Sequence, residues 1–248
     1  MVRQLGAAIS FGVVLFGTAC GRHPESGHLS IAAAADLQFA LADAAHHFHL
    51  QYPQIELAIN YGSSGNFYAQ IRNGAPFDIF LSADIQYARD LAAGAVFSYA
   101  SGKIVVWVPV SSKLDPATAL RDPTVSKIAI ANPQHAPYGR AAETALRNMG
   151  SYQSVASKLV LGENISQTLQ FIQSGAADTG IVALSLALAP NMRGQGRYWE
   201  VPVSAYPKIE QGGVILKDSP AARHFRDWLL SPSGQALLQQ YGFSAPGE

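Results

Sequence analysis

The chain has 248 residues, of which 48% are hydrophobic and 14% charged, with 17 basic residues balancing 17 acidic ones. It can build a substantial core, at the border between one large domain and two small ones. The balanced charge excludes an overall field that would attract nucleic acid or an anionic membrane surface, so any anion must be held locally.

Residues 1–20 run from Arg3 through the apolar stretch 5–16 to the small residues Gly17, Thr18 and Ala19, the layout of a signal peptide, too short for a transmembrane helix. Cys20 is the only cysteine, so no intramolecular disulfide forms. Its place, just after the apolar segment and before Gly21, resembles a bacterial lipoprotein cleavage site. Gly17 stands where such signals carry Leu, and ordinary cleavage after Ala19 is the alternative. Residues 21–28 are polar and turn-forming, a tether that puts the start of the folded part near Leu29.

Short apolar runs at 29–34, 55–60, 77–81, 104–108, 127–131, 158–161, 179–184 and 214–217 predict strands. Between them, Leu37, Leu41, Ala44, Ala45 and Phe48 recur at helical spacing, as do Ala141, Ala145 and Met149, and Phe225, Trp228 and Leu229. The alternation predicts an α/β protein with mainly parallel pairing and ligand-bearing loops at the carboxyl ends of its strands.

Four strand-to-helix junctions are small or neutral: Ala33-Ala34-Ala35-Asp36, Gly62-Ser63-Ser64-Gly65-Asn66, Pro137-Tyr138-Gly139 and Gly162-Glu163-Asn164-Ile165. The first amides of a helix have no partner within it and carry the positive end of the helix dipole, so an anion fits there without lysine or arginine. Ser63 and Ser64 add hydroxyl donors. Singly, each junction reads most simply as a helix cap; the argument rests on their combination.

Other constellations are weaker. His46, His47 and His49 lack a carboxylate spaced to complete a metal site, and read as solvated helix residues. The Gly62-Ser63-Ser64-Gly65 loop lacks the nucleophile turn of a serine hydrolase, and no phosphate-binding or dinucleotide fingerprint occurs. Trp107, Trp199 and Trp228 read as core or strand-edge residues, and Arg72, Arg89 and Arg140 as solvated helix charges.

From residue 29 to 243 the chain resembles the molybdate-binding proteins of bacterial ABC importers. The resemblance is carried by Ala33-Ala34-Ala35-Asp36-Leu37, Gly62-Ser63-Ser64-Gly65 with Tyr68-Ala69-Gln70-Ile71, and Gly74-Ala75-Pro76-Phe77-Asp78-Ile79-Phe80-Leu81-Ser82-Ala83-Asp84. Further on it is carried by Ala131-Asn132-Pro133-Gln134-His135-Ala136-Pro137-Tyr138-Gly139, Gly175-Ala176-Ala177-Asp178-Thr179-Gly180-Ile181-Val182, Ser231-Pro232-Ser233-Gly234 and Tyr241-Gly242-Phe243. It implies the type II periplasmic binding protein fold: two Rossmann-like α/β domains, residues 29–107 plus 208–248 and residues 108–207, joined by a two-strand hinge near Val106 and Pro207.

The resemblance also implies a non-enzymatic, monomeric periplasmic receptor that captures molybdate or tungstate and delivers it to an ABC permease with its ATPase subunits. It implies no cofactor, and molybdenum only inside the oxyanion. Ala35, Asp36 and Ser64 would line the first side of the site, with the amides of Tyr138 and Ile165 closing from the second. Sulfate, phosphate or a carboxylate is the alternative ligand. Two positions depart from the pattern. Ala183 stands where some members carry Tyr, and Asp36 stands where members present Ser or Asn. A carboxylate facing a dianion is repelled, so the expectation is that Asp36 offers its amide to the ligand and caps the helix beginning at Leu37 with its side chain. A protonated Asp36, or a ligand that is not fully ionised, is the competing reading.

Overall fold

The computed structural model describes residues 27–91 and 95–247; the expected signal peptide and Cys20 lie outside them. Among the described residues, ten strands form two five-stranded sheets. The first contains β1 (Gly27–Ala34), β2 (Ile55–Gly62), β3 (Ile79–Ser82), β4 (Val96–Gly102) and β10 (Ile209–Ile215), in the order β2-β1-β3-β10-β4. The second contains β5 (Ile104–Pro109), β6 (Ile128–Ala131), β7 (Leu159–Gly162), β8 (Thr179–Ala183) and β9 (Gly196–Glu200), in the order β7-β6-β8-β5-β9.

Around the sheets lie α1 (Gln38–Gln51), α2 (Ser64–Arg72), α3 (Ile85–Asp90), α4 (Pro137–Asn148), α5 (Tyr152–Val155), α6 (Ile165–Gln173), α7 (Leu184–Ala187), α8 (Pro220–Leu230) and α9 (Pro232–Gln240). The predicted periodicities are the buried faces of three of them. Leu41, Ala44 and Phe48 of α1 are buried, and Phe48 meets Phe225 and Trp228 of α8 edge-on. Ala141 and Ala145 of α4 are buried likewise. His46, His47 and His49 lie on the exposed face of α1.

The pairing is mixed, not mainly parallel. β1 pairs parallel with β2 and β3, and β6 with β7 and β8, but β10 and β5 each run antiparallel to both neighbours. The reason is the way the chain changes sheets. β4 and β5 are separated by Lys103 alone, and the return passage runs between β9 and β10, so the strands flanking each passage enter against the local direction. The expected boundary at residue 107 therefore falls inside β5, and Val106 pairs with Ile181 and Trp199 in the second sheet. Tyr206 ties the two passages together, its hydroxyl accepting the amide of Ile104 at 3.3 Å.

All four junctions singled out in the sequence follow strands at carboxyl ends: β1 into the 3-10 turn Ala35–Leu37, β2 into α2, β6 into α4 and β7 into α6. The two sheets present these ends to each other.

Candidate functional site

Between the two lobes lies a cavity of about 10 Å³ lined by Ala34, Ala35, Asp36, Ser64, Tyr138 and Ile165 among others. The five residues expected at the site, Ala35, Asp36, Ser64, Tyr138 and Ile165, thus share one wall-to-wall space. The space holds about one water-sized group, far below the roughly 300–1,000 Å³ of clefts that hold drug-sized organic ligands. Larger hollows of about 450 Å³ elsewhere on the surface involve none of these five.

Each wall is a helix start. Ser64 is the first residue of α2, and Ile165 the first of α6, behind the Asn164 cap whose side chain accepts from the amide of Gln167. Tyr138 follows Pro137, which takes the helical position that needs no donor. The amides of Ser64, Tyr138 and Ile165 therefore lie in first turns, where the helix offers no acceptor. Ser64 Oγ accepts the amide of Ala83 at 3.0 Å, which leaves its own proton to be donated. No lysine, arginine or histidine is among the lining residues.

Neutral hydrogen bonds fasten the lobes. The carbonyl of His135, in the second lobe, accepts from Ser63 Oγ at 2.6 Å and from the amide of Gly65 at 2.9 Å. Ser166 Oγ donates to the carbonyl of Ala35 at 2.9 Å, and Ser185 Oγ to that of Asp36 at 2.8 Å. A partly exposed ion pair, Arg140 with Asp84 at 2.7 Å, bridges the rim, with the guanidinium over the ring of Tyr87. Arg140 is thus an inter-lobe contact and not a free helix charge.

Asp36 is buried, 1% exposed, and its side chain does not cap a helix. The expected cap at Leu37 is replaced by a 3-10 turn, α1 starts at Gln38, and neither start has a side-chain cap. Instead Oδ2 accepts from the hydroxyl of Tyr138 at 2.9 Å across the cleft and from Nε2 of Gln211. Two donors in a dry interface satisfy the carboxylate better than one half-solvated amide would. Oδ1 has no hydrogen-bond partner, although the amides of Asp36 and Leu37 lie near enough to favour its charge.

Burial pushes the carboxyl of Asp36 up to about 6, against the pull of Gln211 and Tyr138 in the other direction. Burial likewise holds the hydroxyls of Tyr138 and Tyr99 well above the ordinary tyrosine range. Gln211 is the hub: Nε2 also reaches Tyr138 Oη at 3.1 Å, and Oε1 accepts from Tyr99 Oη at 2.9 Å. A register shift in β10 between Gln211 and Gly212 marks the bulge from which it reaches the cleft. Sequence reasoning missed Gln211, Tyr99, Ser166 and Ser185. The only hint was the polar pair Glu210-Gln211 before Gly212-Gly213, ahead of the apolar end of the strand.

The second departure, Ala183, is buried at the end of β8 and caps α7, so the support an aromatic hydroxyl would give from there is absent, while Ser185 two residues on holds the Asp36 backbone.

Residues 29–244 match the family model described as bacterial extracellular solute-binding protein. The chain belongs to that family. Its relatives include the molybdate-binding protein ModA of Azotobacter vinelandii, 35% identical over 88% of this chain and 90% of the relative, and that of Rhodobacter capsulatus, 36% identical over 74% and 75%. The solved structure of the Azotobacter vinelandii periplasmic molybdate-binding protein superposes with a TM-score of 0.82 at 32% identity, covering 88% of this chain and 99% of that one. The two-lobed binding-protein fold expected from the sequence is the fold of this solute-binding chain.

Proposed function

We propose that this solute-binding protein captures molybdate or tungstate between its lobes, outside the cytoplasm, and delivers it to an ABC permease with its ATPase subunits. The observation that carries the reading is a cavity of about 10 Å³ walled by the first turns of three helices and the hydroxyl of Ser64, with no cation among its lining residues. Such a wall offers donors and partial positive charge to an ion whose oxygens only accept. The names of the relatives point to molybdate within that class.

The protein acts by holding and releasing its ligand, as its substrate-binding relatives do. Ala35, Asp36, Ser64, Tyr138 and Ile165 form the binding set, and movement of residues 104–200 against the rest, about the passages at Lys103 and 201–208, opens and closes it. Cys20 serves as the lipid attachment point that keeps the receptor near its permease, and the receptor works as a monomer. Selectivity against sulfate comes from size, because fixed amides discriminate by the distance of the oxygens from the central atom.

Calorimetry of the purified protein against molybdate, tungstate, sulfate and phosphate tests the reading. Tight binding of the first two alone is expected; heat only with sulfate, phosphate or a carboxylate overturns it.

A further inference from the structure

We infer that Asp36 takes part in binding as the neutral acid, donating from Oδ1 to an oxygen of the bound oxyanion, so that each ion bound draws one proton from solvent. The inference rests on the proposed oxyanion function and names the group that sets which ions the site accepts.

The geometry leads to it in three steps. Asp36 lines the cavity, and of its two oxygens only Oδ1 is without a partner. Oδ2 already accepts from Tyr138 and Gln211, so a proton on the carboxyl sits on Oδ1, the oxygen free to use it. The hydroxyl of Ser64 and the first-turn amides offer donors to the cavity, and an ionised Oδ1 would set an acceptor against an ion that has nothing to donate.

The surroundings help the charged form only through neutral donors, which burial outweighs. From α4 comes the hydroxyl of Tyr138, from β4 that of Tyr99, from β10 the amide of Gln211 and from α7 the hydroxyl of Ser185; among the described residues none of the groups acting on the carboxyl is a cation. Without ligand the carboxyl titrates near 6, so at pH 7.5 the neutral form is about one part in thirty, a cost of roughly 2 kcal/mol. A dianion arriving beside Oδ1 adds like-charge repulsion that exceeds that cost in a dry site, and the proton is taken up. The balance is one carboxylate, one proton and one dianion giving a complex whose charge is one unit less negative than with the carboxylate kept ionised.

The test uses sodium molybdate and the purified protein, with binding heats compared in buffers of different ionisation enthalpy. Close to one proton taken up per ion at pH 7.5 is expected, shrinking below pH 6. Affinity should fall about tenfold for each pH unit above 6.5, while molybdate itself stays a dianion. In Asp36→Asn the side-chain amide can donate in place of the acid, so uptake should vanish and affinity should vary less than about threefold from pH 6.5 to 8.5. A protonated-carboxyl band appearing in the infrared difference spectrum of the wild-type protein on adding molybdate decides the matter even if the variant fails to fold. Molybdate binding without proton uptake, or uptake that survives in Asp36→Asn, overturns this inference alone, whereas heat only with monohydrogen phosphate, whose own proton an ionised Asp36 would accept, overturns it together with the proposed function. Failure to bind any of the four oxyanions overturns the proposed function with it.

Discussion

At the scale of single residues, Asp36 separates what the site needs from what the fold tolerates. Its acid form is bound more tightly in the folded chain than in the unfolded one, near 6 against 3.8. That contribution to stability is present in full below 3.8 and is lost as pH rises through about 6, a loss of roughly 3 kcal/mol for a shift of this size. Asp36→Asn keeps an oxygen for Tyr138 and Gln211 but carries no charge. The ligand-free variant should therefore gain about 1–3 kcal/mol on wild type in urea unfolding at pH 8, and show no such gain at pH 4. The five residues that line the cavity were legible because each stands where a strand hands over to a helix, a place marked by small residues and caps. The network behind Asp36 was not: Gln211, which donates to it, and Tyr99, which donates to Gln211, lie within strands more than sixty residues away in sequence, and only the folded chain brings them together.

At the scale of elements, the central strands were visible as apolar runs and two edge strands were not. β4 and β9 close the two sheets on one side each, so only part of each strand is covered, and sequences such as Gly-Arg-Tyr-Trp-Glu carry no clean alternation. β10 was read as 214–217 instead of its observed span because Glu210, Gln211, Gly212 and Gly213 interrupt the apolar pattern, and the interruption is the part that serves the cleft. The start of α2 shows how an element serves closure. A Cβ on Gly65 would stand 2.5 Å from the carbonyl oxygen of His135, which is backbone and cannot swing aside. Alanine nevertheless favours helix over glycine by about 0.5–1 kcal/mol. Gly65→Ala should leave the thermal midpoint of the ligand-free protein unchanged or slightly raised while molybdate affinity drops by about tenfold or more, read by scanning calorimetry and titration side by side.

At the scale of the whole molecule, charge is absent from the places where anion binding usually puts it. The chain is balanced overall, the cavity lining has no cation, and the rim ion pair that bridges the lobes among the described residues, Arg140 with Asp84, is a third exposed and contributes little. Raising the salt from 0.05 to 0.5 M should therefore change molybdate affinity less than about fivefold in titrations at fixed pH, whereas a lysine- or arginine-lined site would weaken steeply. The architecture also couples the bend to the cleft more closely than two lobes on a flexible strap would. Gly102 ends β4, one residue before the chain changes sheets, and a Cβ built there would come within 2.0 Å of the hydroxyl of Tyr138 and 3.0 Å of Nε2 of Gln211. The pivot and the latch touch at one missing methyl group. A residue as small as alanine at 102 would act as a doorstop, propping the jaws apart without removing any atom that meets the ligand, and so would separate a transporter's response to an occupied receptor from its response to a shut one.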